Sequence, residues 1–160
     1  MELANNTHGA GAGSALLATV LVVDDNEAAI ELARIMLVQH SKLKCNLQSA
    51  CSGEEALEFL RAAAQSGRRV DLMLLDINMP RINGFQVLSE LSPEPSEARP
   101  TVVMCSTSHY DQDIERAYAL GASGYIEKPP RLEKLRPLLQ KVSTLKFEES
   151  PTGVALLRAA

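Results

Sequence analysis

Five short strand-like runs, four of them ending on a polar or charged side chain, constrain this chain more than any other feature. Residues 19–23 run into Asp24-Asp25, and residues 43–50 alternate as a strand does. Residues 70–75 run into Asp76, residues 102–105 into Ser106, and residues 123–127 into Lys128. Between the runs, apolar residues recur at helical spacing. Ile30, Ala33, Ile35, Leu37 and Val38 mark a helix to about Gln39, and Ala56, Leu57, Leu60 and Ala64 mark one opened by Ser52 or Gly53. Phe85, Val87, Leu88 and Leu91 mark a third, and Ile114, Ala117, Tyr118 and Leu120 a fourth, closed by Gly121. Leu132, Leu135, Leu138, Leu139 and Val142 mark the last. Strands that lack alternation are buried on both faces, so this fivefold β-α repeat predicts a doubly wound α/β fold with a parallel sheet covered on each side by helices.

Ligands of open α/β sheets bind at the carboxyl ends of the strands. If the sheet is parallel, Asp24, Asp25, Asp76, Ser106 and Lys128 all emerge along that edge. Three carboxylates brought together repel, and each raises the others' pKa. A hard divalent cation resolves the conflict: Mg2+ takes oxygen ligands, commonly one or two carboxylates, waters and a substrate phosphate. Lys128 supplies a point charge for an anionic oxygen, and the Ser106 hydroxyl supplies a hydrogen bond. A carboxylate in that setting is a suitable phosphoryl acceptor, since it is already a nucleophile and needs no base to remove a proton. Alignment and neutralisation of the equatorial oxygens would do the rest.

Composition narrows the alternatives. The 160 residues are one domain's worth, 46% hydrophobic and 22% charged, which reads as soluble and globular. A net charge of -4 speaks against nucleic acid or an anionic membrane surface as partner. No apolar run approaches the roughly 20 residues of a membrane span, and the N-terminus lacks a basic signal start. Cys45, Cys51 and Cys105 lack metal-ligand spacing and read as small thiols in a reducing cytoplasm. His8, His40 and His109 form no cluster and receive no role. Residues 1–18 and 146–160 read as flexible tails around a domain at 19–145, although the apolar end Val154-Ala155-Leu156-Leu157 could dock. Tails that short leave no room for a second core, so the expected output is an interaction or onward transfer.

The ordered motifs carry a resemblance. Leu21-Val22-Val23-Asp24-Asp25-Asn26, then Asp71-Leu72-Met73-Leu74-Leu75-Asp76-Ile77-Asn78-Met79-Pro80 with Gly84, then Ser106-Thr107-Ser108, then Gly121-Ala122-Ser123-Gly124-Tyr125-Ile126-Glu127-Lys128-Pro129 resemble the receiver domain of two-component response regulators. The resemblance implies a flavodoxin-like (βα)5 sheet in the order 2-1-3-4-5. It implies that Asp76 is the phosphoacceptor. It further implies that Asp25, Asp76 and the backbone carbonyl of Asn78 hold Mg2+, or Mn2+ in its place, with Asp24 acting through water. Lys128 would pair with the phosphoryl group, and Ser106 and Tyr125 would be the switch residues. Asn78 and Ser108 would tune hydrolysis of the acyl phosphate, and the bond before Pro129 would be cis. The implied donor is a sensor histidine kinase or a phosphotransfer protein, and the output partner is a protein the sequence does not identify. The fourth helix, fifth strand and fifth helix form the implied signalling face, which could also support a homodimer. The Ser-Thr-Ser run, with Asp113-Ile114 and Tyr118-Ala119-Leu120-Gly121, is similar to stand-alone regulators that serve bacterial phytochromes.

Each of these residues has a plainer reading taken alone. Asp24-Asp25 could be a solvated turn or a helix cap, Asp76 an ordinary strand-end acid, Tyr125 packing, and Lys128 a solvated cation. Asn83-Gly84 reads as a turn with the glycine at positive φ, Glu54-Glu55 as a dipole complement, and Arg68-Arg69 as a loop charge pair. The ordered set outweighs these singles. Two rivals remain at this point: a receiver-like interaction module that works unphosphorylated, and an aspartyl phosphatase. Degenerate modules commonly lose the acid cluster, which this chain keeps. A phosphatase would need an acid two residues after the nucleophile, where Asn78 stands and cannot protonate a leaving group.

Overall fold

The computed structural model describes residues 16–91, 99–107 and 110–159. Its elements are β1 (Thr19–Val23), α1 (Glu27–Arg34), β2 (Leu43–Lys44), β3 (Asn46–Ala50), α2 (Gly53–Gln65), β4 (Leu72–Asp76), α3 (Gly84–Leu91), β5 (Thr101–Ser106), α4 (Asp111–Ala119), β6 (Gly124–Glu127), α5 (Leu132–Leu139), β7 (Leu145–Ser150) and β8 (Gly153–Arg158). Five strands form a parallel sheet in the order β3-β1-β4-β5-β6. Counted among themselves these are strands 2-1-3-4-5, the doubly wound order expected.

Burial explains why the runs became central strands. In β1, Val20 and Val22 join one apolar cluster while Leu21 and Val23 join the other. In β4, Leu72 and Leu74 face the first cluster, and Met73 and Leu75 the second. The first cluster is closed by Ile30, Ala33 and Leu37 together with Leu135 and Leu139 of α5. The second is closed by Ala56 of α2, by α3, and by Ala117 of α4. A fully buried side chain of this size contributes about 1.5–3 kcal/mol, so each central strand is held from both faces.

Several boundaries differ from the expectation. After Arg34 the first helix widens into a π-type segment, Ile35–His40, which ends with Ser41 N–H donating to Met36 O at 3.2 Å. The last helix stops at Leu139, short of Val142. Beyond Leu139 the chain tightens into i→i−3 bonds, with Lys141 N–H donating to Leu138 O at 3.3 Å and Val142 N–H to Leu139 O at 3.1 Å. The single strand expected over 43–50 is broken at Cys45. Asn46–Ala50 pairs with β1, whereas Leu43–Lys44 belongs to a second, three-stranded sheet ordered β2-β8-β7.

That second sheet corrects the C-terminal tail. Residues 145–158 form an antiparallel hairpin, with Leu145 opposite Arg158 and Ser150 opposite Gly153. Leu145, Val154 and Leu156 are buried in the first apolar cluster, so the segment extends the core. Pro151 and Thr152 form the hairpin turn, and Gly153 opens β8. Gly153 sits at φ +147, and a Cβ there would lie 2.3 Å from the Lys42 carbonyl oxygen. The end of the N-terminal tail is tied in as well. Ala18 N–H donates to Leu156 O at 2.8 Å, Arg158 N–H donates to Leu16 O at 2.9 Å, and Leu17 bridges Leu157. Residues 1–15 lie outside the described residues.

Candidate functional site

The strand ends converge because the sheet is in register. Val23 pairs with Leu75, Asp76 with Cys105, and Ser106 with Glu127, so β1, β4, β5 and β6 finish within two residues of one another along one edge. The step past β1 is set locally. Asp24 N–H donates to Ala50 O at 3.1 Å, and the Asp24 carboxylate accepts from Asn26 N–H at 2.9 Å. Asn26, and neither aspartate, caps α1 by accepting from Ala28 N–H at 2.9 Å, which leaves the aspartates for the cleft. On the far side, Lys128 N–H donates to Ser106 O at 2.9 Å and continues the β5–β6 ladder by one residue. The Lys128-Pro129 bond is cis.

Opposite Asp76 the chain must pass very close. Asn83 and Gln86 cap each other across the start of α3, each backbone N–H donating to the other's side chain at 2.9 Å. Gly84 N–H donates to Ile77 O at 2.8 Å, and a Cβ on Gly84 would fall 2.3 Å from the Asp76 carbonyl oxygen. Gly84 is not at positive φ, as the turn reading had expected; it is required for space.

The Lys128 ammonium stands 2.6 Å from Asp24 Oδ2 and 3.0 Å from Asp76 Oδ1. Carboxylate oxygens of Asp24, Asp25 and Asp76 lie within 4.8 Å of one another. Asp24 and Asp76 are buried and Asp25 is exposed, so the cluster opens to solvent at Asp25. Three carboxylates against one ammonium leave two uncompensated negative charges. At an effective dielectric of about 20, each like pair at about 4 Å costs on the order of 4 kcal/mol. Burial pushes the Asp76 carboxyl above its usual range; Lys128 opposes this, and Asp24 and Asp25 add to it. Burial alone would lower Lys128, but its bonds to Asp24 and Asp76 prevail and hold it above the usual ammonium value. An all-oxygen donor set carrying an excess of two negative charges suits a hard divalent cation.

Behind Asp24 and Lys128 lies an apolar cavity of about 140 Å³, lined by residues including Ala29, Leu32, Leu74 and Cys105. Burial pushes the Cys105 and Cys45 thiols up to about 12, so both stay protonated.

Ser106 is fully buried at the end of β5, beside this cluster. Tyr125, on β6, is half-buried against the second apolar cluster. Asn78 is exposed two residues past Asp76. Ser108 lies outside the described residues, as do His8 and His109.

Residues 20–140 match the family described as the response regulator receiver domain. This chain belongs to that family. The receiver is 37% identical over 124 residues to the positive alginate biosynthesis regulatory protein of Pseudomonas aeruginosa, covering 78% of this chain and 46% of that protein. It is 30% identical over 131 residues to the response regulator Rcp1 of Synechocystis, covering 81% of this chain and 88% of Rcp1. A crystal structure of Rcp1 in its Mn2+-bound form superposes with a TM-score of 0.60 at 28% identity, covering 79% of this chain and 92% of that one. The phosphorylated cyanobacterial phytochrome response regulator RcpA superposes with a TM-score of 0.62 at 32% identity, covering 79% of this chain and 91% of that one. The receiver thus spans less than half of the alginate regulator but most of Rcp1 and RcpA. Among the described residues, no helix is long and apolar enough to cross a membrane.

One charged pair went unread in the sequence. Asp71 is buried at the start of β4, with its two oxygens each 2.8 Å from the Arg158 guanidinium. The signal was present in principle. Asp71 interrupts an otherwise apolar run, and Arg158 follows the apolar residues of β8.

Proposed function

We propose that Asp76 accepts a phosphoryl group and that the acquired charge is read by a partner protein. The observation that carries this reading is the meeting of Asp76 Oδ1 with Lys128 Nζ at 3.0 Å, with two further carboxylates within 4.8 Å. Asp25, Asp76 and the Asn78 carbonyl would hold a divalent cation, with Asp24 acting through water. Bound there, Mg2+ or Mn2+ would neutralise charge on the transferring phosphoryl oxygens. The chain's own residues do the remainder. Asp76 attacks phosphorus in line as the carboxylate while the P–N bond to the donor's phosphohistidine breaks and the imidazole leaves. Lys128 shifts from Asp76 to a phosphoryl oxygen, and the buried Ser106 hydroxyl donates to another. Phosphoryl acceptance is general in the family, and the donor here would be a histidine kinase or a phosphotransfer protein.

The readout follows from position. Ser106 ends β5, and Tyr125 sits next door on β6. Movement of Ser106 toward the phosphoryl group therefore biases the packing of α4, β6 and α5. Tyr118 on α4 is 47% exposed on that side of the molecule, in keeping with a partner surface. The same face would serve a homodimer. The stand-alone phytochrome-associated type is supported by the near full-length likeness to Rcp1 and RcpA.

Two measurements test the reading. Acetyl phosphate with Mg2+ should add one phosphoryl group to the intact chain, and chelation by EDTA should abolish the addition. Addition that persists in EDTA would contradict the metal's role. Ser106→Ala should still be labelled yet lose the change in the α4–β6–α5 amide signals on phosphorylation. Unaltered coupling in that variant would remove Ser106 from the switch.

A further inference from the structure

At the edge of the sheet opposite Asp76, where β4, β5 and β6 begin, the chain forms a polar cavity of about 270 Å³. Arg69, Asp71, Arg99, Thr101, Ser123 and Thr144 line it, among others. Its charge balance is the reverse of that at the acid cluster. Asp71 is the one acid among the described lining residues, and its charge is already engaged. Arg158 meets both carboxylate oxygens at 2.8 Å, and Thr19 N–H donates to Oδ2 at 2.9 Å. Arg69 reaches the same carboxylate only through Nε, at 3.3 Å, and its side chain is 42% exposed. Arg99 donates to neutral acceptors, the carbonyl oxygens of Leu120 at 3.3 Å and Gly121 at 3.2 Å. Two guanidiniums, Arg69 and Arg99, thus line the cavity beside one carboxylate that Arg158, outside the lining, already pairs, which leaves the lining net positive in a chain whose net charge is -4.

The backbone is shaped to seat one of these cations. Gly121 sits at φ +104, and a Cβ there would lie 2.5 Å from Arg99 Nη2. The hydroxyls of Thr101, Ser123 and Thr144 add neutral hydrogen-bond donors around the rim. Guanidiniums converging with hydroxyls favour phosphate and carboxylate oxygens, and a planar fork favours a tetrahedral or paired oxyanion. The volume is at or below the lower end for drug-sized ligands, roughly 300 Å³, which restricts the occupant to a compact anion.

We propose that this cavity binds a small phosphate-bearing anion between Arg69 and Arg99. The site lies a full strand length from Asp76 and is independent of the phosphoryl-transfer reading. It also touches the hairpin's root, where Ala159 N–H donates to Thr144 O at 2.9 Å, so an occupant would tie β4–β6 to the C-terminal sheet.

The test is a titration of the full chain with inorganic pyrophosphate and with phosphate. It is run at constant ionic strength in EDTA, so that the acid cluster holds no metal, and followed by amide NMR. The expected result is saturating shifts at Thr101, Gly121 and Ser123 at submillimolar pyrophosphate, with Val23 and Asp25 unmoved. Arg99→Gln and Arg69→Gln should each weaken binding about tenfold or more. Arg69 is exposed enough that its variant should fold even if loss of Arg99 disturbs Gly121. Shifts that stay linear into the tens of millimolar, or that are equal in wild type and Arg69→Gln, would overturn the site. Saturation by citrate as tight as by pyrophosphate would overturn the phosphate class.

Discussion

Asp76→Asn is expected to accept no phosphoryl group and yet to be more stable than the parent chain. An amide oxygen is no nucleophile toward an acyl or histidyl phosphate, so labelling should fall to background. The stability gain follows from the raised Asp76 carboxyl. A carboxyl whose pKa lies higher in the folded than in the unfolded chain costs stability above its unfolded value, near 3.9. The neutral side chain removes that cost at pH 7 and two like-charge contacts with it, while Lys128 keeps Asp24 at 2.6 Å. The expected gain is read as a higher denaturation midpoint. Undiminished labelling would move the acceptor elsewhere, and a loss of stability would mean that the cluster is not electrostatically strained.

Removing Arg158 should have the largest effect on folding of the charge changes considered. Asp71 is buried and its carboxyl is held below the usual range. Burial alone would raise it, but the Arg158 fork, the Thr19 N–H and Arg69 together outweigh that. Arg158→Ala leaves a buried carboxylate short of its main partner and detaches the end of β8, at a cost of about 3 kcal/mol. The pH dependence has a definite sign. A depressed carboxyl contributes stability above the unfolded value, near 3.9, and loses it as pH falls through the lower folded value. The gap between parent and Arg158→Ala should therefore be full near pH 7 and shrink as pH falls, beginning where burial, no longer opposed by Arg158, lets the variant's Asp71 take up a proton. The paired change Asp71→Leu with Arg158→Leu should recover most of the loss. A gap of less than about 0.5 kcal/mol at pH 7 would place Arg158 among ordinary surface cations.

Much of the sheet was legible because its strands are buried on both faces. A run such as Leu72-Met73-Leu74-Leu75 has one plausible place in an α/β fold, and the residue that ends it then has one plausible edge. The site was legible for the same reason. Asp76 and Ser106 end their strands, Asp24 and Lys128 follow directly on theirs, and parallel pairing alone brings them together. The hairpin was not legible, because β7 alternates weakly and Pro151 and Gly153 carry the same signal in a turn as in a tail. The break at Cys45 was hidden for a different reason. Residues 43–50 have an unbroken strand pattern, and only the arrival of β8 beside Leu43 separates them. Asp71 and Arg158 are 87 positions apart, and nothing local to either one names the other. Gly84 was correctly singled out but for the wrong constraint, since backbone clearance at Asp76 leaves no trace in local turn chemistry.

The most direct measurement treats the chain with acetyl phosphate and Mg2+, reduces it with borohydride and maps the peptides. An aspartyl phosphate becomes homoserine under reduction, whereas an unphosphorylated carboxylate is untouched. The account predicts homoserine at position 76 alone, and only when phosphodonor and Mg2+ are both present. Homoserine at 24 or 25, or a reduction-resistant phosphate on a hydroxyl such as Ser106, would contradict it.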